Sequence, residues 1–161
     1  MTAWGQILAL LGAAVLTGAC DEGRNAQFSA HQPSRPEQTV EEPMRIRISA
    51  AGRTFKAVLE DSEAARDFAA LLPLDLTLSD YNRTEKIADL PRRLSTAGAP
   101  EGVDPAVGDI TYYAPWGNLA IFYRDFGYSR GLVRLGLFEG DAKALAMLDG
   151  PVRVEILDPQ P

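Results

Sequence analysis

Ile110-Thr111-Tyr112-Tyr113-Ala114-Pro115-Trp116-Gly117-Asn118-Leu119-Ala120-Ile121-Phe122-Tyr123 is the stretch that decides the fold class of this chain. Its two arms, Ile110–Tyr113 and Leu119–Tyr123, are built from β-branched, aromatic and apolar residues, the types that pack well on a pleated surface. Between them Pro115 and Gly117 supply turn chemistry, so the spacing predicts two antiparallel strands joined by a short loop.

The same period of two recurs outward in both directions. Toward the C-terminus, Gly131 to Phe138 supplies another strand, and Asp141 can cap a helix running to Leu148. Gly150-Pro151 stops that helix, and Val152, Val154 and Ile156 alternate in a last strand. Toward the N-terminus, Met44, Ile46 and Ile48 alternate with Arg45, Arg47 and Ser49, and Ala51-Gly52-Arg53 turns the chain into Thr54 to Glu60. Asp61 or Ser62 can cap the helix that follows, whose apolar face is Ala65, Phe68, Ala69 and Leu72, with Pro73 ending it. Period two returns in Leu74, Leu76 and Leu78. From Asp80 to Gly108, Pro91, Gly98, Pro100, Gly102 and Pro105 break the pattern, which predicts irregular loops around one or two strands. Seven or eight strands with only two helices predict a mainly β fold: an antiparallel sheet closed into a barrel, its ends covered by helices. Closure removes the exposed edges. The interior of so small a barrel should be filled by side chains such as Ile46, Leu76, Ile121 and Val133, so a ligand would have to bind outside it.

At 161 residues there is room for one such domain, spanning about residues 44–158. Residues 1–20 contain no charged side chain, and Ile7 to Leu16 is an apolar run too short for a bilayer-spanning helix, which takes roughly 20 residues. This reads as an export signal. Leu16-Thr17-Gly18-Ala19-Cys20 resembles a bacterial lipoprotein processing site, at which Cys20 would be lipidated and the protein anchored to a membrane in the cell envelope. Thr17 and the absence of Lys or Arg from residues 1–6 depart from that pattern. An unlipidated signal peptide and a misplaced start codon are the alternatives. Residues 21–43, with Pro33, Pro36 and Pro43 among polar residues, read as a disordered tether. The net charge of −6 divides into about −3 for residues 21–43 and about −3 for residues 44–161, so no basic patch invites nucleic acid.

Several segments resemble the bacterial cyclophilin-like proteins: Met44 to Ile48, Leu76-Thr77-Leu78-Ser79-Asp80-Tyr81-Asn82, Val107-Gly108-Asp109-Ile110, and Ala114 to Tyr123. The resemblance covers about Met44 to Leu157. It implies a closed barrel like that of the peptidyl-prolyl isomerases and no common reaction.

His31 is the only histidine and Cys20 the only cysteine, so residues 44–158 hold neither type. Ser-His-Asp and Cys-His catalysis, Cys/His zinc sites and disulfides within the domain are thereby excluded. No phosphate-binding or calcium-loop motif is present, and no catalytic residue, metal or cofactor is assigned. Prolyl isomerisation needs less, since an arginine donor and an apolar pocket can lower the barrier of an X-Pro bond. Tyr81-Asn82-Arg83 is the nearest match to the arginine-bearing segment of true cyclophilins, with Asn82 where they carry histidine; otherwise Arg83 is a solvated loop residue. Trp116 is either a loop residue packing over the barrel rim or, with Tyr112, Tyr113 and Tyr123, an aromatic ligand wall. Arg124 and Asp125 follow a strand directly and either border a binding loop or form a surface ion pair. The expected site is a shallow exterior groove drawing on Tyr81, Asn82, Arg83, Trp116, Tyr123 and Arg124. Its occupant would be a peptide segment or small molecule. A non-catalytic binding module leads, with prolyl isomerase and structural envelope protein as the competing readings.

Overall fold

The computed structural model of the chain describes residues 43–157. The segment expected to be an export signal, Cys20, and the segment expected to be a tether, as far as residue 42, lie outside the described residues. The first alternating run becomes a hairpin: β1 (Arg45–Ala50) pairs antiparallel with β2 (Arg53–Leu59). Ala51 and Gly52 at its tip both have positive φ, at 47° and 75°, a turn geometry whose twist suits a two-residue hairpin. Ser62 caps α1 (Glu63–Ala69), its hydroxyl accepting from the Ala65 amide at 3.2 Å. Ala64, Ala65, Phe68 and Ala69 are buried. The helix stops short of Leu72, because a residue before proline is pushed out of the α region.

The remaining elements are β3 (Leu74–Tyr81), β4 (Glu85–Asp89), β5 (Gly102–Val103), β6 (Asp109–Tyr113), β7 (Asn118–Phe122), β8 (Ser129–Arg130), β9 (Leu132–Glu139), α2 (Ala142–Ala146) and β10 (Gly150–Leu157). Eight of the strands close into an antiparallel barrel in the order β1-β10-β3-β4-β7-β6-β9-β2, while β5 and β8 form a separate ribbon. Gly150 and Pro151 open β10 instead of preceding it. Pro151 lies just beyond the last β1 pair, Ala50 with Val152, where the ladder to β1 has ended and a proline is tolerated. α2 is capped by Asp141 as its sequence predicts, but ends at Ala146.

Ile46, Leu76, Ile121 and Val133 lie in one buried cluster that fills the barrel, together with Phe68 of α1 and with Leu145 and Leu148 at and after α2. A second, smaller cluster of Ala120, Phe122 and Leu132, with Ile87, Val103 and Tyr113 against it, involves the opposite faces of β4, β6 and β7. All five residues of β7 are therefore buried. Leu119 and Ile121 point into the barrel, and Ala120 and Phe122 point out of it.

Candidate ligand-binding face

The outward side of β3, β4, β6 and β7 carries the exposed aromatic surface of the domain. Tyr81 pairs with Glu85 across β3 and β4, and Glu85 pairs with Phe122 across β4 and β7. Directly opposed residues share a face, so these three side chains form one row on the barrel exterior. Trp116 sits in the loop between β6 and β7, where the Trp116 and Gly117 amides both donate to the Tyr113 carbonyl, at 3.2 and 2.8 Å. Gly117 has a φ of 78°, a conformation that favours glycine. Arg93 clamps the loop from outside, donating to the carbonyls of Ala114 at 2.5 Å and Pro115 at 3.3 Å.

Held this way, the Trp116 ring meets Tyr81 edge-on at 5.4 Å and Tyr113 at 5.5 Å between centroids. Edge-to-face geometry is favourable for aromatic pairs. Trp116 is nevertheless 56% exposed, which makes it a surface anchor and not a core residue. Phe126 and Tyr128 extend the exposed aromatic set, and Phe126 stacks at 6.2 Å on Phe122.

Tyr123 does not join this face. It follows Phe122 and alternates to the inner side, where its hydroxyl donates to Asp80 at 2.6 Å. The same Asp80 oxygen lies 3.1 Å from the ammonium of Lys86, which is 1% exposed, pairs with Asp149 at 3.1 Å and stands 5.5 Å from the Tyr123 ring centroid. The hydrogen bond from Tyr123, with further bonds from Lys86 and the Arg83 amide, holds the Asp80 carboxyl below its ordinary range against the opposing effect of burial. Burial and the bond to Asp80 push the Tyr123 phenol up to about 12. Asp80, Tyr123, Lys86 and Asp149 thus satisfy one another, which reads as a structural cluster.

Asn82 and Arg83 lie at the tip of the β3–β4 hairpin with positive φ values of 52° and 55°, and the Asp80 carboxylate fixes the turn by accepting from the Arg83 amide at 2.9 Å. The Arg83 guanidinium makes no hydrogen bond or ion pair among the described residues. Arg124 is exposed at the same end, its amide reaching the Thr84 carbonyl at 3.2 Å. The six expected residues thus separate into an exterior pair, Tyr81 with Trp116, a hairpin-end group of Asn82, Arg83 and Arg124, and Tyr123 at the mouth. Two expectations are corrected. Tyr112 is no part of an aromatic wall, because it alternates inward with Ile110, is 1% exposed and accepts the Leu94 amide on its hydroxyl. Arg124 and Asp125 form no ion pair, since Asp125 instead accepts from the Val107 amide at 3.1 Å.

Glu85, Asn118 and Arg93 are the face residues that sequence reasoning passed over. Glu85 and Arg93 fall in the punctuated stretch after Asp80, where period two is too short to read. Burial beside its neighbours pushes the Glu85 carboxyl up to about 7. No hydrogen bond or ion pair reaches it among the described residues. Clefts of about 610, 490 and 510 Å³ lie elsewhere, at the rim formed by residues 49–54 with β3 and β10 and on the two sides of the 96–101 loop. Neither Tyr81 nor Trp116 lines any of the three.

Comparison with known proteins bears on the barrel. The sequence profile of the cyclophilin-like family matches residues 48–157. None of the curated proteins compared matches the chain. Among solved structures, a hypothetical protein from Archaeoglobus fulgidus, known in solution, is 21% identical over 70% of this chain and 94% of its own, with a TM-score of 0.49.

Proposed function

Because this chain belongs to the cyclophilin-like family, a kinship that brings a barrel and no reaction, we propose that it is a non-catalytic binding module whose ligand docks on the outer aromatic face. The observation that carries this reading is Trp116, more than half exposed yet fixed between Tyr81, Tyr113 and the Arg93 clamp. An ordered, exposed aromatic surface is a recognition surface more often than a structural one. The barrel interior is filled, which leaves the exterior as the place for a ligand.

Binding is tested with Trp116→Ala, which should remove ligand-induced shifts while leaving Tm within a few degrees. A loss of stability of about 3 kcal/mol, as for truncation of a buried tryptophan, would overturn the assignment. Isomerase chemistry is the competing reading. Arg83 stands on an exposed turn with nothing to pre-orient its guanidinium, and the domain holds no histidine. Turnover of an X-Pro peptide in a protease-coupled assay, abolished by Arg83→Ala, would favour that reading over binding alone. We also propose export and lipidation at Cys20, supported by the apolar run Ile7 to Leu16 and the small residues before the cysteine.

A further inference from the structure

We propose that Asn82, at the tip of the β3–β4 hairpin, is an acceptor for N-linked glycosylation and receives one oligosaccharide when the chain is exported. This rests on the export proposed above and is independent of the aromatic face.

Asn82-Arg83-Thr84 is an Asn-x-Thr acceptor sequence with no proline at its middle position. Asp80, two residues before the asparagine, completes the stricter acidic form that bacterial transferases recognise. The chain has three asparagines, and neither Asn25-Ala26-Gln27 nor Asn118-Leu119-Ala120 carries the hydroxyl residue. Short motifs also arise by chance, so the placement of this one decides what it is worth.

Asn82 and Arg83 are exposed, between the last residue of β3 and the first of β4, where a bulky group meets no core. Asn118, by contrast, is only 3% exposed. The tip needs left-handed backbone, at φ values of 52° and 55°, and asparagine is one of the few side chains that adopt it readily. The Asn82 carboxamide makes no hydrogen bond among the described residues, so exchanging one of its hydrogens for a sugar removes no contact of the fold. The Thr84 hydroxyl donates to the Asn82 carbonyl at 3.2 Å, so the turn folds the hydroxyl of the acceptor sequence back toward its asparagine. Asp80 is engaged by the Arg83 amide, Tyr123 and Lys86 once the hairpin is formed. A transferase that reads this carboxylate therefore meets the segment before the hairpin closes, and the exposed tip then accommodates the product.

The co-reactant is an oligosaccharide linked to a membrane lipid through a diphosphate. The Asn82 carboxamide nitrogen bonds to the anomeric carbon as that carbon's bond to the diphosphate oxygen breaks. The lipid diphosphate leaves with the electron pair, and the amide gives one proton to a base of the transferase.

The test expresses the full chain in cells that supply a membrane oligosaccharyltransferase and its lipid-linked oligosaccharide, and measures intact mass and the mass of the peptide holding Asn82. One added oligosaccharide on Asn82 is expected. Asn82→Asp and Thr84→Val should each abolish it and Thr84→Ser should retain it, with Tm within a few degrees in all three. A second form carries a proven cleavable signal peptide in place of residues 1–20, and so reaches the transferase whatever those residues do. A glycan on the second form alone supports the acceptor assignment and overturns the export reading. An unmodified Asn82 in the second form, or a glycan that survives Asn82→Asp, overturns the proposal.

Discussion

Glu85 and Lys86 are adjacent on β4 and show how strand alternation gives neighbouring charges opposite fates. Lys86 turns inward, where Asp80 and Asp149 neutralise it; an ammonium buried without such partners would cost several kcal/mol. Glu85 turns outward into partial burial with no cation. Its folded pKa of about 7 lies above the ordinary 4.5, so the folded state holds this proton more tightly than the unfolded chain does. The associated stability is present below about pH 4.5 and is lost as pH rises through 7. Glu85→Gln should therefore stabilise the protein at pH 8, by on the order of 1 kcal/mol after discounting for partial exposure, and should change little near pH 4.5. Urea denaturation at the two pH values measures this. An equal effect at both would show that the carboxyl is not desolvated.

At the scale of elements, the β6–β7 hairpin is the piece whose rigidity matters. Its loop presents Trp116, and its conformation rests on Gly117 in the left-handed region, on two amides shared by the Tyr113 carbonyl, and on the Arg93 clamp. Arg93 is exposed, so Arg93→Ala should cost only about 1 kcal/mol of stability. It should raise the mobility of the Trp116 side chain and weaken ligand binding severalfold, because ordering the loop would then fall on the binding step. Relaxation measurements on the indole N–H, with a denaturation curve, check both parts. Unchanged Trp116 order would show that the tyrosine contacts suffice alone. The β3–β4 hairpin is unlike it: its tip residues, Asn82 and Arg83, are defined by backbone geometry and by Asp80 beneath them, and make no contact that would hold a ligand group in place.

For the whole molecule, the barrel is closed, without edges of its own, and is filled by a single core, so on the binding role proposed above recognition would fall to the outside. A module of this kind works by being held where its partner is, and a lipid at Cys20 would do that. Mass spectrometry of the mature N-terminus is expected to find an acylated Cys20; recovery of a cytosolic chain retaining Met1 would remove the membrane from the account.

The sequence by itself determined the class of the domain, because period-two alternation, turn glycines and helix caps are local properties written residue by residue from Met44 to Ile156. It also determined what chemistry the domain lacks, since the absence of histidine and cysteine needs no geometry. Where runs were short the local signal led to an expectation of one or two strands between Asp80 and Gly108 but did not place them, so β4, with Glu85 and Lys86, was not located. The site was legible only in part for a different reason. Tyr81 and Trp116 were recognisable as candidates, but their contact depends on strand order and on where a loop folds back, which no local pattern encodes. Tyr112 and Tyr123 carry the same aromatic side chain as Tyr113, yet they face the other side, because a step of one residue along a strand reverses the face. Only the register of the closed barrel decided which aromatics meet, which acid is buried alone, and which lysine finds two carboxylates.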